Sequence, residues 1–104
     1  MIRLRWLRRA WEDWLSAMHF EARRNPAHAR RVIAAFDRAL DLIQNNPQIG
    51  TATAHDPSIR GWFVTGADVW IYYVASTDEI VIRRIKPART RCVDRDALRG
   101  GAGV

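Results

Sequence analysis

Arg83, Arg84, Lys86, Arg89 and Arg91 place five cations within nine positions, with no acid among them. Such a cluster can hold a phosphate or a carboxylate, and an arginine fork does so through two parallel hydrogen bonds. Two uses of the segment are open. It is either a cationic docking surface or a solvated edge strand whose charge resists aggregation. On a strand, Arg84 and Lys86 share one face and Arg83 points the other way. Other residues with chemical potential are sparse. His19, His28 and His55 are scattered, and none has a partner at metal-ligand spacing. Ser16, Ser58 and Ser76 have no His or Asp in an arrangement that would activate them. The glycines sit singly or in the tail, so no phosphate-cradling loop is present. The single Cys92 excludes an internal disulfide and a cysteine zinc site. No cofactor and no metal are expected.

The chain has 104 residues, the length of one domain, with 48% hydrophobic and 27% charged residues, ordinary globular values that argue against a disordered protein. The net charge of +6 favours an acidic partner, either nucleic acid or an acidic protein segment. Lys86 is the one lysine, so arginine supplies nearly all of the positive charge. No run approaches the length of a membrane span, and Glu12 and Asp13 interrupt the basic start where a signal peptide would turn apolar. A cytoplasmic protein with no membrane partner is expected. Five tryptophans are many for this length, and some are expected at a contact surface. Trp62 and Trp70 serve as core residues or as anchors for a partner. Trp11 and Trp14, three apart, cannot both reach the centre of a core. One of them is core, or it supports a groove in which a partner helix or strand docks.

The elements that position these residues follow from periodicity. Ile2, Leu4 and Trp6 alternate with Arg3 and Arg5, which predicts a first strand. Leu7, Trp11, Trp14, Leu15, Met18 and Ala22 recur at helical spacing and predict a helix over about 8–23. Asn25 then caps a second helix that Pro26 can open. Its apolar face is Ala29, Val32, Ile33, Phe36, Leu40 and Ile43. Asn45-Asn46-Pro47 ends it, with an asparagine able to take a left-handed cap. The short connection predicts an antiparallel helical hairpin. Residues 48–58 read as loop. Trp62-Phe63-Val64, 69–74 and 80–85 read as strands of an antiparallel meander, with a turn at Ser76-Thr77-Asp78. Pro87 stops the last one or puts it at an edge. The expected fold is a two-layer α+β domain over 1–96: an N-terminal strand, a helical hairpin, then three antiparallel strands. The glycine-rich end, 97–104, is expected to be a flexible tail.

In this order the chain resembles the ParE/RelE superfamily of bacterial type II toxins, and within it the ParE branch, over roughly 2–91. The likeness rests on the 2–6 strand, Arg24-Asn25-Pro26, Ala29-Arg30-Arg31-Val32 and Asn46-Pro47-Gln48-Ile49-Gly50. Arg60 before Trp62-Phe63-Val64, the 69–74 strand, and Ile82-Arg83-Arg84-Ile85 leading to Arg89 complete it. The resemblance implies a helical hairpin on a twisted antiparallel sheet and a cognate antitoxin that wraps and silences the toxin in a hetero-oligomer. It implies DNA gyrase as the target in the ParE branch. In the RelE branch it implies messenger RNA cleaved on the ribosome.

Metal-free RNA cleavage needs a base for the 2′-hydroxyl, a donor for the leaving oxygen and cations for the phosphorane. RelE-like nucleases place Lys and Arg on the sheet and often a Tyr or His near the C-terminus. Here the Trp62–Val64 strand carries no lysine, Asp68 stands where an arginine is common, and neither Tyr nor His follows Arg89. The expectation is therefore a gyrase-binding inhibitor with no catalytic residue. Arg60, Trp62, Trp70, Arg83, Arg84, Lys86, Arg89 and Arg91 are the residues expected to meet the target or the antitoxin. A ribosome-dependent RNase and a non-toxic basic binding protein are the alternatives.

Overall fold

A computed structural model describes residues 2–88. In chain order the elements are β1 (Arg3–Trp6), α1 (Arg8–Arg24), α2 (Pro26–Asn45), β2 (Thr51–Ala52), β3 (Arg60–Val64), β4 (Val69–Ala75) and β5 (Glu79–Pro87). The tail expected over 97–104 lies outside the described residues.

The strands form one sheet in the order β1-β5-β4-β3-β2. The meander of β3, β4 and β5 is antiparallel, as its short turns require. β1 lies parallel to β5, with Leu4 opposite Ile80 and Trp6 opposite Ile82. The stretch 48–58, expected as loop, contains the two-residue β2, which pairs Thr51 with Gly61 and Ala52 with Arg60.

Helix α2 opens as its sequence dictates. The Asn25 side chain accepts from the His28 N–H at 3.2 Å, and Pro26 fills the first turn. Its end differs from expectation. Asn46 has φ −140°, so the helix closes without a left-handed residue. Pro47 excludes compact conformations for the residue before it, and the Asn46 N–H donates back to Leu42 and Ile43 carbonyls instead.

The helices cover one sheet face. Alternation along β4 and β5 sends Val69, Ile71, Tyr73, Ile80, Ile82 and Ile85 into the core, against Val32, Phe36, Ala39 and Ile43 of α2 and Ala10 of α1. Trp14 is the tryptophan of α1 that serves the core, stacked on Phe36 with ring centroids 3.9 Å apart. Trp11 is 47% exposed and meets Trp6 edge-on at 5.4 Å. Among the described residues no helix is long and apolar enough to cross a membrane.

Candidate functional site

The sheet face turned away from the helices carries the residues that alternate with the core. On β4 these are Trp70 and Tyr72; on β3 they are Gly61 and Phe63. Register places Phe63 opposite Trp70 and Gly61 opposite Tyr72. The rings of Trp70 and Tyr72 are nearly parallel (16°), with centroids 6.2 Å apart, and Phe63 lies 5.3 Å from Trp70. Gly61 makes room for them. A Cβ there would sit 3.0 Å from the Tyr72 ring and 3.6 Å from that of Trp70. Both rings thus lie down over β3, where a side chain would otherwise stand.

β5 brings the cations to this face through a bulge. Tyr72 pairs with Arg84, but Tyr73 pairs with Ile82, so Arg83 is an extra residue in the ladder. The extra residue explains how Ile82 and Ile85, three apart, are both buried. It also overturns the expectation that Arg83 faces away from Arg84 and Lys86. All three line one open cavity of about 240 Å³, with Thr53, His55, Asp56, Ile59 and Tyr72. Simple alternation failed because a bulge resets it.

The three cations are not equivalent. Arg84 donates to both carboxylate oxygens of Asp13 on α1, from Nε at 2.8 Å and from Nη2 at 3.3 Å. The same carboxylate accepts the Ile85 backbone N–H at 3.0 Å. β1 has ended by this point, since its last ladder pair is Trp6 with Ile82. Asp13 therefore supplies the acceptor that a longer β1 would have offered. The pairing neutralises Arg84, whereas Arg83 is exposed. Asp56 is the acid in the cavity, and its carboxylate accepts from the Ser58 hydroxyl at 2.7 Å and the Ser58 N–H at 3.1 Å. Those two bonds, with smaller contributions from Arg83 and His55, hold its carboxyl below the usual range and keep it ionised.

Arg60 and Trp62 lie elsewhere. Arg60 shares the helix side of the sheet with its partner Tyr73. Its guanidinium donates to the Gly50 carbonyl at 2.6 Å and to the Gln48 backbone and side-chain oxygens. The Tyr73 hydroxyl donates to the Pro47 carbonyl and accepts the Gly50 N–H, each at 2.9 Å. Burial pushes the Tyr73 phenol up, opposed by the Gly50 bond and by Arg60. The Asn-Pro-x-x-Gly segment is thus pinned from two sides. Trp62 pairs with Ile71 on the helix side and packs against the core, beside a groove whose other wall includes Ala35, Ala39 and Leu42 of α2. Arg89 and Arg91 lie outside the described residues.

The structure therefore gathers Arg83, Arg84 and Lys86, joins them to Trp70 through Tyr72, and separates Arg60 and Trp62 from them. Sequence reasoning missed Phe63, Tyr72, Thr53 and His55. Phe63 and Tyr72 were legible from cross-strand alternation. His55 enters the cavity only because β2 pairs with β3 and brings the following loop over the sheet. His28, the other central histidine, stands 3.7 Å from Glu21 at the hairpin end. Among the described residues no cluster of His, Cys, Asp and Glu could hold a metal.

No curated protein sequence matches the chain. Among solved structures, the chain is similar to a chromosomal ParDE toxin–antitoxin system from P. aeruginosa. That likeness has a TM-score of 0.69 at 19% identity, covering 84% of this chain and 96% of that one. A YoeB/ParE toxin from Agrobacterium tumefaciens gives a TM-score of 0.56 at 14% identity, covering 82% and 96%. These likenesses show the shared fold. Residues 4–91 match the family model described as the ParE toxin of the type II toxin–antitoxin system parDE. With this match spanning most of its length, the chain belongs to the ParE toxin family.

Proposed function

We propose that this protein is a growth-arresting toxin that acts in the cytoplasm on DNA gyrase and is silenced by a cognate antitoxin in a hetero-oligomer. Membership of the ParE family is the observation that carries this reading. The solved neighbour from a ParDE system supports the antitoxin partner. The state of the cationic strand supports a binder over a nuclease. Asp13 neutralises Arg84, and Asp68, with φ 58°, occupies a turn where its carbonyl accepts the Ala88 N–H at 2.8 Å. Purified protein should inhibit gyrase supercoiling or accumulate cleaved DNA. Growth arrest with neither effect would remove gyrase as the target.

One observation favours the ribosome-dependent RNase as a second reading. His55 lines the same cavity as Arg83, Lys86 and Tyr72. A histidine can take the 2′-hydroxyl proton and the cations can stabilise the phosphorane. Incubation with translating ribosomes and mapping of transcript ends separates the two. Ends that appear with the wild type and vanish with His55→Ala would establish the nuclease.

A further inference from the structure

β1 is an outer strand of the sheet, and the sheet uses only one of its two edges. Arg3 donates to the Asp78 carbonyl at 3.1 Å and Leu7 to that of Ile82 at 3.0 Å. The odd-numbered residues of β1 therefore turn their backbone toward β5. By the two-residue repeat of a strand, Leu4 and Trp6 turn theirs to the open side. Each keeps one donor and one acceptor there. Ile2 belongs to the same edge, and its carbonyl already accepts from the Gln44 side-chain amide at 2.7 Å. That bond closes one end of the edge, and α1, starting at Arg8, closes the other.

The side chains decide what can pair with this edge. Leu4 and Trp6 pack against the core on the helix side, while Arg3 and Arg5 are exposed on the opposite face. Arg5 meets Glu79 at 3.1 Å. Arg3 faces the same residue in register, but it makes no salt bridge among the described residues. Neither do Arg8 and Arg9, which follow at exposed positions. A second copy paired antiparallel, Leu4 with Trp6, would set Arg5 directly opposite Arg5. Like charges across a strand pair are destabilising, and such charges keep edges from joining their own kind. An acidic strand turns the same charges into an attraction. On the helix side Trp11, 47% exposed and 5.4 Å from Trp6, adds an apolar surface beside the edge.

We propose that the open edge of β1 is a strand-addition site for an extended segment of the antitoxin that alternates acidic and apolar residues. Its backbone bonds to Leu4 and Trp6. Its acids share the face of Arg3 and Arg5, and its apolar residues lie opposite Leu4 and Trp6, beside Trp11. In strand addition the main chain supplies affinity and alternate side chains supply specificity. Naming the antitoxin rests on the toxin reading; the chemistry of the edge does not.

The test has two arms. In the first, amide hydrogen exchange is followed by NMR in the full chain, free and bound to its cognate antitoxin. The Leu4 and Trp6 amides should slow at least about tenfold more on binding than those of Arg3 and Arg5, which the β5 ladder already protects. In the second, the free chain is titrated with a synthetic peptide of about eight residues, an ordinary strand length, alternating Glu and Val. Its controls are a block isomer, with all Glu before all Val, and a version with Lys for Glu. The alternating acidic peptide should bind at least about tenfold more tightly than either, because only it sets every acid on the arginine face. Arg3→Glu should weaken it at least about fivefold by replacing an opposite-charge pair with a like-charge one. Arg30→Glu, at an exposed position on α2, should change it less than about twofold. Leu4→Pro removes a donor that the β5 ladder does not use and should weaken binding at least about tenfold. If that variant does not fold, the exchange arm decides the same point.

Equal binding of the alternating and block peptides would show charge alone and overturn the proposal. So would dimerisation of the free chain that protects Leu4 and Trp6, which would assign the edge to a second copy. An antitoxin that neutralises the toxin but leaves both amides unprotected would overturn this site and leave the toxin reading standing. Alternation-dependent peptide binding, lost in Arg3→Glu, by a chain that arrests no growth would support the edge and remove the toxin reading.

Discussion

Asp13→Ala tests the joint between the helical layer and the bulge. The substitution removes the acceptor for three N–H groups: Arg84 Nε, Arg84 Nη2 and the Ile85 amide. The Ile85 amide lies at a part-buried strand edge where no strand replaces the missing partner. Leaving it unpaired costs about 1 kcal/mol. The Arg84 side chain is 35% exposed and that of Asp13 17%, so solvent screens part of their attraction. A discounted value of about 1–2 kcal/mol is appropriate for the pair. The total is about 2–3 kcal/mol, which for a domain of this size lowers Tm by roughly 10 °C. Urea denaturation supplies the free energies. A double-mutant cycle with Arg84→Ala should return a coupling of about 1–2 kcal/mol. In 1 M salt the coupling should shrink, because exposed charge is screened and the Ile85 bond is not. A total loss below about 0.5 kcal/mol, the range of ordinary surface changes, would refute the account of Asp13 as a substitute strand partner.

Three further outcomes follow from packing and ionisation. Tyr73→Phe removes the hydroxyl shared by Pro47 and Gly50 and should cost about 1–3 kcal/mol in urea denaturation. Because burial raises the folded-state value of the phenol, the unfolded chain ionises first. Wild-type stability is therefore fully present below about pH 10 and is lost as pH rises through the folded-state value, whereas the Phe variant should lack this alkaline limb. Trp14→Ala removes the ring stacked on Phe36 and should cost about 3 kcal/mol by thermal unfolding, against about 1 kcal/mol for the half-exposed Trp11→Ala. Gly61→Val drives a side chain into the space of the Tyr72 ring and should cost about 1–3 kcal/mol while altering the near-ultraviolet circular dichroism of the aromatic row.

The element order was legible because each signal was local. Alternation marked β1, runs of β-branched and aromatic residues marked β4 and β5, and Asn25-Pro26 marked the hairpin junction. The site was legible only by halves. The run from Arg83 to Lys86 announced its charge, but a bulge cannot be seen in one strand; it exists only against the register of the partner. For the same reason His55 looked isolated. Its placement depends on the two-residue ladder of β2 with β3, which carries almost no propensity signal of its own. Arg60 misled in the opposite direction. A lone arginine before a strand reads as a contact residue, yet its guanidinium braces the 48–50 segment. The carboxylate of Asp13 gave no hint in sequence that it would meet a strand some seventy residues later.

The pairing of β1 with β5 sets a timetable for synthesis. Arg3 donates to the Asp78 carbonyl and Leu7 to that of Ile82, so the first strand finds its place only against nearly the last. Closing so long a loop is slow, although its entropy grows only with the logarithm of length. While the ribosome still holds the second half, β1 has no strand to pair with. The sheet is completed only after β5 has left the ribosome, and a chain truncated before Glu79 would leave β1 unpaired.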